Sequence, residues 1–144
     1  SDDGTPTPMD PVAGTSCRVA AVVAQFPPTD LRSLVGPSDS FPALDFDSKL
    51  GESVSPLLHV TADDAPSLLI HGDQDRLVPL SHSENIVKAF QDKAVDHRLI
   101  VLQGAAHGFH GDDEQRAIKA MVEWFETHLL SVDKSAAPAG AASE

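Results

Sequence analysis

Three short apolar runs, each closed by turn-forming residues, constrain this chain more than any other feature. They are Arg18–Phe26, Ser67–His71, and His97–Gln103 with its centre at Leu99-Ile100-Val101-Leu102. Continuous apolar runs of this length, without alternation, mark strands buried on both faces, as in a parallel sheet. Helical patterns follow the second and third runs. Ile86, Val87, Phe90 and Ala94 recur at three- and four-residue spacing, behind a Ser81/Glu84 pair that reads as a capping box. Ile118, Met121, Val122, Phe125 and Leu129 predict the buried stripe of a last helix, opened by Asp112 and followed three on by Gln115. Strands alternating with helices predict an α/β fold with about three parallel strands joined by right-handed crossovers.

The remaining segments have other patterns. Residues 1–16 carry prolines, glycines and aspartates without apolar periodicity and are expected to form a mobile N-terminal arm. Residues 131–144 are rich in alanine, proline and serine and are expected to be a disordered tail. The core domain is therefore expected over 17–130. Within it, residues 29–66 are broken by Pro37, Pro42, Pro56 and Pro66, yet Phe41, Leu44, Phe46 and Leu50 give them apolar surface. A structureless connection of that length is uncommon, so a small folded insert is expected there.

Charge and cysteine content exclude several classes of function. With 22 acidic against 10 basic residues, the formal net charge is −12. Such a surface repels phosphate backbones and anionic lipids, so neither nucleic acid nor a membrane is an expected partner. The single cysteine, Cys17, excludes an internal disulfide and a cysteine-based zinc cluster. No compartment follows from these features.

Chemistry is expected where strands end, because the loops leaving the carboxyl edge of an α/β sheet converge there. The second run ends in His71-Gly72-Asp73-Gln74-Asp75, and the third is followed by Gly104-Ala105-Ala106-His107-Gly108-Phe109. Adjacent parallel strands lie about 5 Å apart, so an acid on one loop reaches a histidine on the next. Asp73 and Asp75 both qualify by position. Gly72 and Gly108 are expected where a side chain is not tolerated, and His71 is expected to pack or hydrogen-bond at the strand end.

The string from Leu69 to Pro79 (Leu-Ile-His-Gly-Asp-Gln-Asp-Arg-Leu-Val-Pro) resembles the segment around the catalytic acid of α/β hydrolases. Gly104–Phe109 resembles their catalytic-histidine loop, and Ala117–Leu129 their terminal helix. Arg18–Leu31, with Pro27-Pro28-Thr29-Asp30, resembles the strand and turn after the nucleophile helix. The wording is similar to carboxylesterases of the hormone-sensitive-lipase and acetyl-xylan-esterase type, and next to prolyl-oligopeptidase-like peptidases. The resemblance implies a partial α/β-hydrolase fold with 29–66 as a lid-like insert. It implies that Asp75 is the acid and His107 the base of a Ser-Asp-His triad acting on a small ester substrate, without a cofactor.

The nucleophile is the point of departure. No Gly-x-Ser-x-Gly elbow occurs in the 144 residues. Ser38, in Gly36-Pro37-Ser38-Asp39-Ser40, is half an elbow without the required strand before it and helix after it, and Ser16 precedes a strand instead of following one. The sequence therefore reads as the back half of a serine hydrolase. Two other readings stand beside it. One is a non-catalytic truncated module that self-associates or binds a companion chain. The other is a metal-assisted hydrolase using His107, His110, Asp112 and Asp113. In the absence of a preceding strand, Arg18–Phe26 is expected to expose a sheet edge and to form the interface of a homo-oligomer or of a complex with a companion chain.

Overall fold

The computed structural model describes residues 16–130. The arm expected over 1–16, apart from Ser16, and the tail expected over 131–144 lie outside the described residues. Three strands, β1 (Val22–Gln25), β2 (Ser67–Gly72) and β3 (His97–Leu102), form a parallel sheet in the order β1-β2-β3. Ser67 is level with Val22 on one side and with His97 on the other. All three carboxyl ends therefore open on the same edge.

Period-two alternation along β2 builds two cores. Leu68 and Ile70 face one layer with Leu102, Phe109, Ala117, Ala120 and Trp124; Leu69 faces another with Ile86, Phe90 and Val95. The first layer packs under helix α2 (Asp112–Phe125), the second under helix α1 (Ser81–Lys93). Leu68, Ile70 and Leu102 are fully buried. Each contributes about 1.5–3 kcal/mol through its apolar area, and truncation to alanine would cost that plus a cavity.

β1 is shorter than expected. It spans Val22–Gln25, and its residues are half-buried where burial on both faces was predicted. Two causes are visible. β2 cannot extend backward past Pro66, whose carbonyl accepts the Val22 N–H at 2.8 Å. Arg18 is drawn off the strand direction onto Asp63, with guanidinium contacts of 2.8 Å to its carboxylate and to its carbonyl. On its far side β1 has no strand neighbour among the described residues.

The insert 29–66 contains three short 3-10 turns, Pro42–Leu44, Ser48–Leu50 and Pro56–His59. Its base is closed by Ser55, which is fully buried: the hydroxyl donates to Gly51 O at 2.6 Å and accepts from Leu31 N at 2.8 Å. Leu57 and Val60 then pack against the α1 layer.

Both helices depart from the expected detail. The capping box at Ser81 and Glu84 does not form. Leu80 already has helical torsions (φ −50°, ψ −29°), so Ser81 falls within the first turn. α1 ends at Ala94, whose left-handed φ of 57° lets Val95 N–H bond back to Phe90 O at 2.9 Å. In α2 no side chain caps the start, although Asp112, Asp113 and Glu114 occupy the positive end of the helix. Its buried stripe is Ala117, Ala120 and Trp124, rotated from the one expected; Ile118, Val122 and Leu129 are 40%, 48% and 44% exposed. Small alanines let the helix approach the sheet, Trp124 is buried beside them and Phe125 packs against the same layer, while Ile118 and Val122 turn outward. A helix apolar on two sides fits a site covered on both.

Candidate active site

The loops after β2 and β3 are laced together by backbone contacts. Asp73 N–H donates to Leu102 O (3.2 Å), Gln74 N–H to Ala105 O (2.9 Å), and Gly104 N–H to the Asp73 carboxylate (2.7 Å). Asp73 thus joins the two loops, which leaves Asp75 to face the histidine. Gly72 is required for space: a β-carbon there would lie 2.2 Å from Ala105 O. Gly108, in contrast, has a φ of 104°, a conformation that side chains rarely adopt.

Asp75 has no exposed side-chain surface. Its Oδ1 accepts from Leu77 N and Val78 N, both at 2.9 Å, and its Oδ2 accepts from His107 Nδ1 at 2.7 Å. Burial pushes the Asp75 carboxyl up, but the Val78 N–H, the His107 ring and the Leu77 N–H together hold it below the ordinary aspartate value. The carboxylate is thereby kept charged and oriented.

His107 is about one third exposed. With Nδ1 committed to Asp75, its Nε2 makes no hydrogen bond to any described residue. The ring rests against Phe26, with centroids 4.4 Å apart, and Phe26 in turn meets Phe109 edge-on at 5.2 Å. Phe26 escaped the sequence reading. It is the last residue before Pro27-Pro28 and sits at the carboxyl end of β1, where its N–H bonds to Ile70 O at 2.8 Å. Its positive φ of 40° aims the ring at His107. An aromatic residue closing a strand at the same edge as two motif loops was the available signal.

His71 is fully buried beneath α1. Its Nδ1 lies 2.7 Å from Ser83 Oγ, and its Nε2 lies 2.8 Å from Val78 O and 3.3 Å from Asp75 Oδ2.

The other sequence candidates are not gathered at the site. No group of three or more His, Cys, Asp or Glu residues able to hold a metal forms among the described residues. His107 is bound to Asp75, and Asp113 pairs with Arg116 at 3.1 Å. Ser38 accepts the N–H groups of Ser40 and Phe41 within its own turn, with no strand leading into it and only the 3-10 turn Pro42–Leu44 after it. Cys17 is exposed ahead of β1. An apolar groove of about 430 Å³, lined by Val22, Ala24, Pro28, Leu69, Ile86 and Phe90 among others, runs along the α1 side of β1 and does not reach Asp75 or His107.

Residues 18–131 match the prolyl oligopeptidase family. This chain belongs to the prolyl oligopeptidase family. Over 91 residues it is 31% identical to the biotin biosynthesis bifunctional protein BioHC of Cellvibrio japonicus, a match covering 63% of this chain and 15% of that protein. Among solved structures it is similar to an acetyl ester-xyloside bifunctional hydrolase from Caldicellulosiruptor lactoaceticus (TM-score 0.73, 24% identity, 88% of this chain and 48% of that one). A thermophilic esterase from the planctomycete Thermogutta terrifontis gives a TM-score of 0.64 at 24% identity, over 85% of this chain and 46% of that one. A puromycin-hydrolyzing peptidase from Mycobacterium tuberculosis gives 0.60 at 28% identity, over 76% and 18% respectively. This prolyl oligopeptidase family member is thus a partial α/β-hydrolase of three parallel strands and flanking helices, as its motifs implied. It spans less than half the length of each of these relatives.

Proposed function

We propose that this chain supplies the acid and the base of a Ser-Asp-His triad for hydrolysis of carboxylic esters. The observation that carries the reading is the 2.7 Å contact between His107 Nδ1 and the buried Asp75 Oδ2, with Nε2 unengaged. In such a triad His107 Nε2 takes the proton of the attacking serine and later returns it to the leaving alcohol. Asp75 fixes the ring orientation and balances the imidazolium that forms. The motif wording supports an ester, while the family match and the puromycin-hydrolyzing peptidase support an amide bond as the rival substrate class. The nucleophile is supplied from outside these 144 residues, which contain no elbow sequence. The insert 29–66 is proposed as the lid.

A second reading, a module that works only by association, is favoured by the open edge of β1 and the outward apolar residues of α2. A fluorophosphonate probe separates the two readings. The 144-residue chain alone should stay unlabelled. A chain carrying the same residues behind a nucleophile elbow should be labelled and should hydrolyse p-nitrophenyl acetate, and both properties should disappear in His107→Ala. Full hydrolysis in that variant would sink the catalytic reading.

A further inference from the structure

His71 is a polar ring in an otherwise apolar layer. Alternation along β2 puts it on the face of Leu69, beneath α1, with Ile86 and Phe90 in the same layer. It has no exposed surface, and none of its hydrogen bonds reaches solvent. Its Nε2 is hydrogen-bonded to Val78 O at 2.8 Å, with Asp75 Oδ2 3.3 Å away and outside hydrogen-bond geometry. A nitrogen hydrogen-bonded to a carbonyl oxygen must carry the hydrogen. Ser83 Oγ, itself fully buried, then donates to Nδ1 at 2.7 Å. Leucine at 71 would fill the space but leave the Ser83 hydroxyl and Val78 O without this partner in a dry layer.

These contacts form one line from α1 to the site: Ser83 to His71, His71 to the Val78 carbonyl, the Val78 N–H to Asp75, and Asp75 to His107. The His71 N–H therefore braces, through the Val78 carbonyl, the loop whose Val78 N–H holds the carboxylate. Val78 is fixed twice, by its N–H on Asp75 Oδ1 and by its carbonyl on His71. We propose that His71 is a positioning residue for the Asp75–His107 pair, with its Nε2–H tautomer fixed by the Val78 carbonyl. The proposal rests on reading Asp75 and His107 as acid and base, but its test does not need catalysis.

The test is ¹⁵N-resolved NMR of the histidine rings in the 144-residue chain. The expected wild-type result is His71 as the Nε2–H tautomer and a slowly exchanging Nδ1 proton on His107. In Ser83→Ala, His71 should keep the Nε2–H tautomer, because the Val78 carbonyl still accepts from it. In His71→Leu, exchange of the His107 Nδ1 proton should accelerate about fivefold, the population change that one net hydrogen bond supports. His71→Gln, whose amide N–H can reach the same carbonyl, should restore slow exchange. An Nδ1–H tautomer in the wild type, or equal His107 exchange in all variants, would overturn the proposal. Should His71→Leu fail to fold, the wild-type His71 tautomer still decides. Absence of the His107 Nδ1 signal from the wild type would overturn the acid–base pairing itself, while the His71 tautomer is still read from its own nitrogens.

Discussion

Gly72 and Ala105 approach each other so closely that a β-carbon on Gly72 would sit 2.2 Å from the Ala105 carbonyl oxygen. That same oxygen accepts the Gln74 N–H at 2.9 Å. The close approach sets the spacing of the loops that carry Asp75 and His107. Gly72→Ala should therefore separate them. A loss of about 2–4 kcal/mol is expected from overpacking together with the strained loop hydrogen bond. Urea denaturation measures it. A variant as stable as the wild type would show that the loops yield without cost.

Asp75→Asn tests the carboxylate without removing its shape. The amide oxygen can still accept from Leu77 and Val78, but the charge facing His107 is lost. In a chain completed by a nucleophile elbow, the proposed role predicts that kcat falls about 10⁴-fold, as when a triad acid is changed to its amide. A second effect concerns acid stability. The folded Asp75 carboxyl lies below its ordinary value, so its contribution is whole above about pH 3.9 and is lost as pH falls through the folded value. The acid-unfolding curve of Asp75→Asn should be flatter below that point, and an unchanged curve would remove Asp75 from the acid linkage.

Much of this arrangement is legible in the amino-acid order, and the exceptions have physical reasons. β2 is plain because Leu68, Leu69 and Ile70 feed two cores at once, and only a strand buried on both faces needs three apolar residues in succession. The pairing of Asp75 with His107 follows from placing two motifs on neighbouring strand ends. The stripe of α2 was partly legible: Phe125 packs against the core as expected, but apolar size alone did not mark the buried face. Ala117 and Ala120 touch the sheet because they are small, while Ile118 and Val122 face outward. Ser83 gave no signal because a serine near a helix start reads as part of a cap, whereas this one reaches across the layer to His71. Phe26 depends on a backbone turn, with φ at 40°, that sequence pattern does not reveal.

His82 should make stability depend on pH. Its Nδ1 accepts from the N–H groups of Thr29 and Asp30, both at 3.2 Å, while Thr29 Oγ1 donates to its carbonyl at 2.7 Å. Burial holds the His82 ring below the ordinary histidine value, the Asp30 charge opposes this, and His71 adds to it. Asp30 is held at about 2 by Arg32, so its charge is constant above pH 5. Protonation of Nδ1 would put a donor against two donors and release the base of the insert. The stability from this contact is therefore whole above about pH 6.5 and is lost as pH falls through the lower folded value. His82→Asn places an amide oxygen near the Nδ1 position, and thermal unfolding of that variant should change less between pH 7 and 5. An identical slope in both proteins would sink the assignment.

The open edge of β1 leads to the last prediction. Val22 and Phe26 turn their N–H groups toward β2, to Pro66 O and Ile70 O. Alternation sends those of Val23 and Gln25 outward, where no described strand receives them. On the other side of the sheet, Ile118, Val122 and Leu129 leave apolar surface in water. An unpaired edge beside uncovered apolar area favours association, with a second copy or with a companion chain. We therefore expect light scattering to show a mass that rises with concentration. Gln25→Pro should suppress the rise if the edge is the route, because it removes an outward donor and leaves the β2 ladder intact. Ile118→Lys combined with Val122→Lys should suppress it if the helix face is the route. A wild-type chain that stays monomeric at high concentration would contradict self-association and leave a companion chain as the partner to be sought.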